Sequence, residues 1–180
     1  MVAILLADGF ETAEALVPLD LLRRAGIETK LYGLGSDMVT SSQGLIVKTD
    51  GFLDSIEPGK LSMLMLPGGP GVERLRDSGE ARAFISEANR LEKLIAAICA
   101  APVLLAEMGL LKGLRAVCFP DMSDKLEACG ALYMQNEKTV RDGRFITGQA
   151  AGASVDFGLA LIEALNGSEA AGVVRRAVYY

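Results

Sequence analysis

The chemistry open to this chain is concentrated at one sulfur. The apolar, β-prone run Leu94-Ile95-Ala96-Ala97-Ile98 ends abruptly at Cys99, and the small residues Ala100-Ala101-Pro102 follow at once. Beyond them Val103-Leu104-Leu105-Ala106-Glu107-Met108 reads as helix, closed by Gly109. A strand feeding a tight turn and then a helix holds the turn residue exposed at the carboxyl edge of a sheet, the geometry of a nucleophile elbow. Bulkier residues than alanine beside Cys99 would clash where strand and helix approach. The helix amino terminus, with its free N–H groups and dipole, is expected to favour a thiolate at Cys99. The alternative is a buried core cysteine, the usual fate of a lone thiol. The strand–cysteine–helix context favours the functional reading.

The elements around this turn follow from hydrophobic patterning. Val2 to Ala7 is a continuous apolar run, as in a parallel strand buried on both faces, and Asp8-Gly9-Phe10 breaks it. Glu11 to Ala25 reads as a helix whose buried side carries Leu16, Leu19, Leu22 and Ala25, with Gly26 as its C′ residue. Pro18 inside it should bend the helix or mark a late first turn. Ile27 to Leu34 and Leu45 to Val47 read as strands, separated by the turn Gly35-Ser36-Asp37. Leu61 to Leu66 is again a buried-strand run, ending in the glycine-rich turn Pro67-Gly68-Gly69-Pro70-Gly71. Helices are expected at Val72 to Arg76 and Glu80 to Arg90, ahead of the Leu94 strand.

Ala116 to Phe119 reads as a strand stopped by Pro120, and Met122 to Ala128 as a short helix. Thr139 to Thr147 carries a hairpin signal, with Asp142-Gly143 suited to a type I′ turn. Ala153 to Leu165 is a closing helix capped at Asn166-Gly167, with a final helix over Ser168 to Arg176. Strands alternating with helices specify an α/β sandwich around a mostly parallel sheet, with helices on both faces and a small β-hairpin. Residues 1–180 read as one domain without linker or repeat.

In such a sheet ligands bind beyond the carboxyl ends of the strands. Asp8 to Glu14, Pro67 to Gly71 and the elbow at Cys99 are the three interruptions that reach this edge. They could assemble a thiol, a carboxylate from the first helix, and the backbone N–H groups of Gly69 and Ala100 as an oxyanion hole.

Composition excludes other chemistries. A net charge of −5 without a Lys/Arg cluster gives no nucleic-acid footprint, and the apolar runs fall short of a membrane span. The amino terminus enters a strand directly, so a cytoplasmic location is expected. Cys99, Cys118 and Cys129 are too few and too irregularly spaced for a disulfide framework or a zinc site, and no metal or cofactor is implied. Cys118 reads as a buried strand residue and Cys129 as a helix-end thiol. Histidine is absent from the chain. Peptide hydrolysis by a Cys–His pair and amide hydrolysis by a Cys–His–Glu triad both need an imidazole near neutral pH, so both are disfavoured.

Several separated segments together resemble one family. Ala96-Ala97-Ile98-Cys99-Ala100-Ala101-Pro102, Leu66-Pro67-Gly68-Gly69, Glu11-Thr12-Ala13-Glu14 followed by Pro18 to Ile27, and the late Asp156-Phe157-Gly158-Leu159-Ala160 and Ala164-Leu165-Asn166-Gly167 are similar to the ThiJ/PfpI superfamily. The nearest branch is that of the parkinsonism-associated protein deglycase and bacterial YajL-type proteins. The resemblance implies a flavodoxin-like three-layer sandwich of the class I glutamine amidotransferase-like type, a homodimer, and a reactive cysteine at Cys99 with Glu14 as its acidic partner. Glu11, Gly68, Phe119 and Gln149 fall near the implied pocket; the Glu11 carboxylate also has an ordinary reading as a solvated first-turn charge. Phe119-Pro120 stands where close relatives can carry histidine-proline, and Gln149-Ala150-Ala151-Gly152 where the branch commonly has glycine-proline-glycine.

An ionised carboxylate would raise the thiol's pKa, so the pairing expected is a neutral Glu14 beside an anionic Cys99. The implied activity is conversion of methylglyoxal to lactate, or removal of early glycation adducts from protein or nucleotide. A non-catalytic oxidative-stress sensor or chaperone, with Cys99 oxidised to a sulfinate, is the alternative.

Overall fold

The chain's structure is a computed structural model describing residues 1–180. Its central sheet is built on β1 (Val2–Leu6) and β6 (Met63–Leu66), buried end to end, and β7 (Leu94–Ile98), buried except at its half-buried first residue. Their apolar side chains alternate between two faces, so each face needs a helical layer. Val2, Ile4 and Leu6 pack beneath α1 (Thr12–Arg24) and α6 (Ser154–Ala177). Ala3 and Leu5 pack beneath α2 (Gly71–Asp77), α3 (Gly79–Arg90), α4 (Ala101–Glu107) and α5 (Ser123–Ala128).

The remaining strands of this sheet are β2 (Thr29–Gly33), β5 (Gly51–Phe52), β10 (Thr139–Asp142) and β11 (Phe145–Gly148). The seven strands lie in the order β10-β11-β7-β6-β1-β2-β5. Only β10 runs antiparallel to its neighbour. From β1 the chain crosses to β2 and later returns to place β6 on the other side of β1. The carboxyl ends of β1, β6 and β7 therefore meet at the point where strand order reverses, the usual crevice of an open α/β sheet. The expected three-layer sandwich is the architecture found.

Four details differ from the sequence expectations. Short strands β3 (Met38–Thr40) and β4 (Ile46–Lys48) form a separate antiparallel hairpin, of which the sequence predicts only β4. The strand expected over Ala116 to Phe119 is reduced to β8 (Arg115–Ala116), paired with β9 (Leu132–Tyr133). Val117 donates its N–H to the Thr147 hydroxyl (2.9 Å) and Phe119 donates to the Cys99 carbonyl (2.9 Å), so neither can continue a ladder. Cys118 is fully buried, as expected, but outside any strand. The β10–β11 turn has Gly143 and Arg144 at its centre, with positive φ (57°) at Gly143 alone, the signature of type II′ and not the expected I′.

α1 continues through Pro18, whose missing N–H leaves the Glu14 carbonyl without its helical partner. α6 breaks at Gly167 (φ 86°, ψ 168°), matching the two helices expected there. By length and hydropathy residues 151–177 could cross a membrane, in contrast to the sequence expectation; here Phe157, Leu161 and Ile162 are fully buried in the α1-side core.

Candidate functional site

The elbow is held in a conformation that its residue type resists. Cys99 has φ +66°, in the left-handed region that costs an L residue about 1–2 kcal/mol. Backbone bonds on both sides enforce it. Its N–H donates to the Gly148 carbonyl (2.9 Å), and its carbonyl accepts from Phe119 N–H (2.9 Å). α4 begins two residues later with Pro102 in its first turn, where a missing N–H costs nothing. The sulfur is thereby projected over the carboxyl edge of β7, and Cys99 is only partly buried. The core-cysteine alternative does not describe it.

Glu14 reaches the same point from α1. Its side chain is 1% exposed, and its Oε2 accepts the Gly68 N–H at 2.9 Å. The carboxyl lies within hydrogen-bonding reach of the Cys99 thiol, and the Gly69 and Ala100 N–H groups face the sulfur. Thiol, buried carboxyl and two backbone donors thus converge, supplied by the segments after β7, β1 and β6.

The glycine turn makes this convergence possible. A Cβ on Gly68 would lie 2.6 Å from Glu14 Oε2 and 2.7 Å from Cys99 Cβ. Gly69 adopts φ +84°, and a Cβ there would meet the Glu11 N and Gly9 carbonyl O, both at 2.6 Å.

Electrostatics couple the two acids. Burial pushes the Glu14 carboxyl up to about 7, with the nearby Glu11 charge acting the same way; bonds from Cys99 and Gly68 oppose it. Burial, then the Glu14 charge and hydrogen bond, push the Cys99 thiol up to about 12, against the Gly69 and Ala100 donors. The lowering expected from the helix terminus is outweighed, because α4 spans seven residues and the thiol has lost much of its water. Near neutral pH the proton therefore leaves Glu14 while the Cys99 thiol keeps its own, the reverse of the expected pairing of a neutral Glu14 with an anionic Cys99, because burial and the Glu14 charge both disfavour a thiolate. A thiolate at Cys99 arises only in the minor arrangement of the coupled pair that has the proton on Glu14.

The other pocket residues play lesser parts. The Glu11 carboxylate accepts the Ser42 hydroxyl at 2.9 Å and acts on the site only through its charge on Glu14. Phe119 supports the elbow through its backbone, and its side chain is 38% exposed. Gln149 follows Gly148 and gives its N–H to the Lys138 carbonyl (2.9 Å), so it borders the elbow through its backbone. Gly148, whose carbonyl fixes the Cys99 N–H, is a site residue that nothing local in the sequence marks. No three His, Cys, Asp or Glu side chains cluster where they could hold a metal ion.

Comparisons with known proteins agree with this geometry. The profile of the DJ-1/PfpI family matches residues 1–164. The Parkinson disease protein 7 homolog of Danio rerio is 35% identical over 176 residues, covering 96% of this chain and 93% of that protein. Deglycase TK1284 of Thermococcus kodakarensis is 30% identical over 151 residues, covering 84% and 90%. Among solved structures, Drosophila melanogaster DJ-1beta superposes with a TM-score of 0.94 at 30% identity, covering 99% of this chain and 96% of that one. With matching sequence, matching fold and an elbow cysteine facing a buried glutamate, the chain belongs to the DJ-1/PfpI family.

Proposed function

We propose that this protein acts on reactive carbonyls, either small dicarbonyls such as methylglyoxal or early glycation adducts on protein or nucleotide, using Cys99 as nucleophile. The observation that carries this reading is the Glu14 carboxyl, 1% exposed and placed against both Gly68 N–H and the Cys99 thiol. Kinship with a protein named a deglycase supports the same substrate class.

The proton inventory fits. Cys99 sulfur adds to the aldehyde carbon of methylglyoxal, forming a C–S bond, and the thiol proton ends on the former carbonyl oxygen as a hemithioacetal. Gly69 and Ala100 N–H groups hold that oxygen while it carries charge. Glu14, as carboxylate, then removes the proton from the carbon bearing sulfur and returns a proton to the adjacent carbon, giving a lactoyl thioester. Water cleaves the C–S bond, releasing lactate and the thiol. The sequence is redox-neutral and consumes one water. In purified protein Cys99→Ser should reduce lactate formation to background; turnover that survives the substitution would rule this mechanism out.

A second reading draws on the match to a structure described as Toxoplasma gondii DJ-1, oxidized (TM-score 0.92, 32% identity). Two equivalents of peroxide would convert the thiol to a sulfinate, whose oxygens could accept from neutral Glu14 and the two backbone donors. Stoichiometric oxidation of Cys99 without methylglyoxal turnover, read by intact mass, would favour a redox sensor or chaperone over the enzyme. A homodimer and a cytoplasmic location are parts of the same proposal, testable by light scattering and by fractionation.

A further inference from the structure

A cleft of about 600 Å³ opens beside the Gly69–Pro70 turn, between the β1–α1 loop, the β3–β4 hairpin and α2. It sits at the carboxyl end of β1, where strand order reverses, and its volume is in the range that holds whole small molecules. Asp8, Thr40, Ser41, Pro70, Glu73 and Arg74 line it. Pro70 apart, these side chains are polar, so charge and hydrogen bonds would orient a ligand in it.

What these groups leave unpaired defines the ligand. The Arg74 guanidinium has neither an ion pair nor a hydrogen bond, whereas Arg76 beside it is paired with Glu73 and Glu107. Glu73 is therefore held by Arg76, which it shares with Glu107, and only Arg74 is free to meet a ligand. Asp8 uses Oδ1 to accept Thr40 N–H (2.8 Å) and leaves Oδ2 free. Ser41 Oγ accepts Leu45 N–H (3.0 Å) and keeps its own proton to donate. Thr40 leaves its hydroxyl unbonded. The cleft lining thus offers a cationic fork from α2, together with a carboxylate oxygen and two hydroxyls from the β1–α1 loop and the hairpin.

We propose that this cleft binds a polyhydroxylated anion, a sugar phosphate or sugar acid, with its anionic group on Arg74 and its hydroxyls on Asp8, Thr40 and Ser41. An anion without hydroxyls would face the free Asp8 oxygen with nothing to donate to it. A cation would meet Arg74. The binding does not depend on the chemistry proposed for Cys99, so the two readings can fail separately.

The test is calorimetric titration of the full chain with ribose 5-phosphate, gluconate and inorganic phosphate. Saturable binding of either sugar derivative, one per chain, is expected; the one that binds distinguishes a phosphate ligand from a carboxylate one. Inorganic phosphate should bind at least about tenfold more weakly, and Arg74→Gln should weaken the sugar derivative about tenfold to a hundredfold. Asp8→Asn keeps the acceptor for Thr40 N–H and should weaken binding of the sugar derivative relative to inorganic phosphate, which should bind as well as to the parent or better. Cys99→Ser should bind as the parent does. The proposal is overturned if neither sugar derivative binds at millimolar concentration, if inorganic phosphate binds equally well, if folded Arg74→Gln protein binds like the parent, or if Cys99→Ser abolishes binding.

Discussion

Replacing Glu14 with glutamine tests the site at its most unusual group. The carboxyl moves from an ordinary 4.5 to about 7 in the folded chain, chiefly through burial. The folded state therefore favours the protonated acid. Its contribution to stability is fully present below the unfolded value of 4.5 and is lost as pH rises through about 7. At about 1.4 kcal/mol per pKa unit, ionising Glu14 costs the folded state about 3 kcal/mol between those limits. A glutamine amide in its place would keep an acceptor for Gly68 N–H and a donor toward the sulfur, with nothing to ionise. Urea unfolding of both proteins at about pH 5 and about pH 8 isolates this term, because every other titrating group is shared. The parent should lose about 2.5 kcal/mol more than Glu14→Gln over that interval, part of the penalty being already present at about pH 5. In parallel, Cys99 alkylation by iodoacetamide should extend to lower pH in the variant than in the parent, because the Glu14 charge that pushes the thiol up is gone. Parallel stability curves, together with one alkylation profile for both proteins, would show that the two acids are not coupled and that burial does not tune Glu14.

Other perturbations probe the supports of the site. Gly68→Ala places a methyl 2.6 Å from Glu14 Oε2, so it should cost about 1–3 kcal/mol in thermal unfolding and slow Cys99 alkylation; an unaltered labelling rate would contradict the tight contact. Cys118 is 0% exposed whereas Cys99 is only partly buried, so mass spectrometry after brief alkylation of the folded protein should find Cys99 modified and Cys118 not. Phe157 is 0% exposed in the core between α1 and α6, and Phe157→Ala should cost about 3–5 kcal/mol in urea unfolding, with a smaller loss meaning that the core closes over the gap.

Burial explains which elements are legible in the sequence. β1, β6 and β7 are covered on both faces, so their sequences are unbroken apolar runs that no turn or surface segment would carry. β3 alternates exposed, buried, exposed over three residues, too short for a period to register, and β5, β8 and β9 are shorter still. Ala116 to Phe119 has the composition of a strand but pairs only at Ala116, because contacts with Thr147 and Cys99 claim the N–H groups of Val117 and Phe119. The same holds at the site. Cys99, Gly68 and Gly69 announce themselves by residue type and local order; Gly148 and the backbone of Phe119 act through long-range hydrogen bonds that composition does not encode. The thiol's pKa departs from the sequence expectation for a related reason. The amino terminus of α4 is visible in the sequence, but the packing that removes water from Cys99 is not.

The absence of histidine gives Glu14 its weight. Near neutral pH an enzyme ordinarily moves protons with imidazole, and these 180 residues contain none. A carboxyl at its usual value would be ionised throughout that range, raising the thiol beside it and donating to nothing. Enclosing the carboxyl behind Gly68, with Glu11 adding its charge nearby, brings it to about 7 and lets it act as either acid or base. The left-handed cysteine, the glycine pair and the buried glutamate are then interdependent. A side chain at residue 68 would displace the carboxyl, and an elbow relaxed to negative φ would carry the sulfur away from both the carboxyl and the two N–H donors. Loss of any one of them should therefore change reactivity at Cys99, and double substitutions should be far from additive.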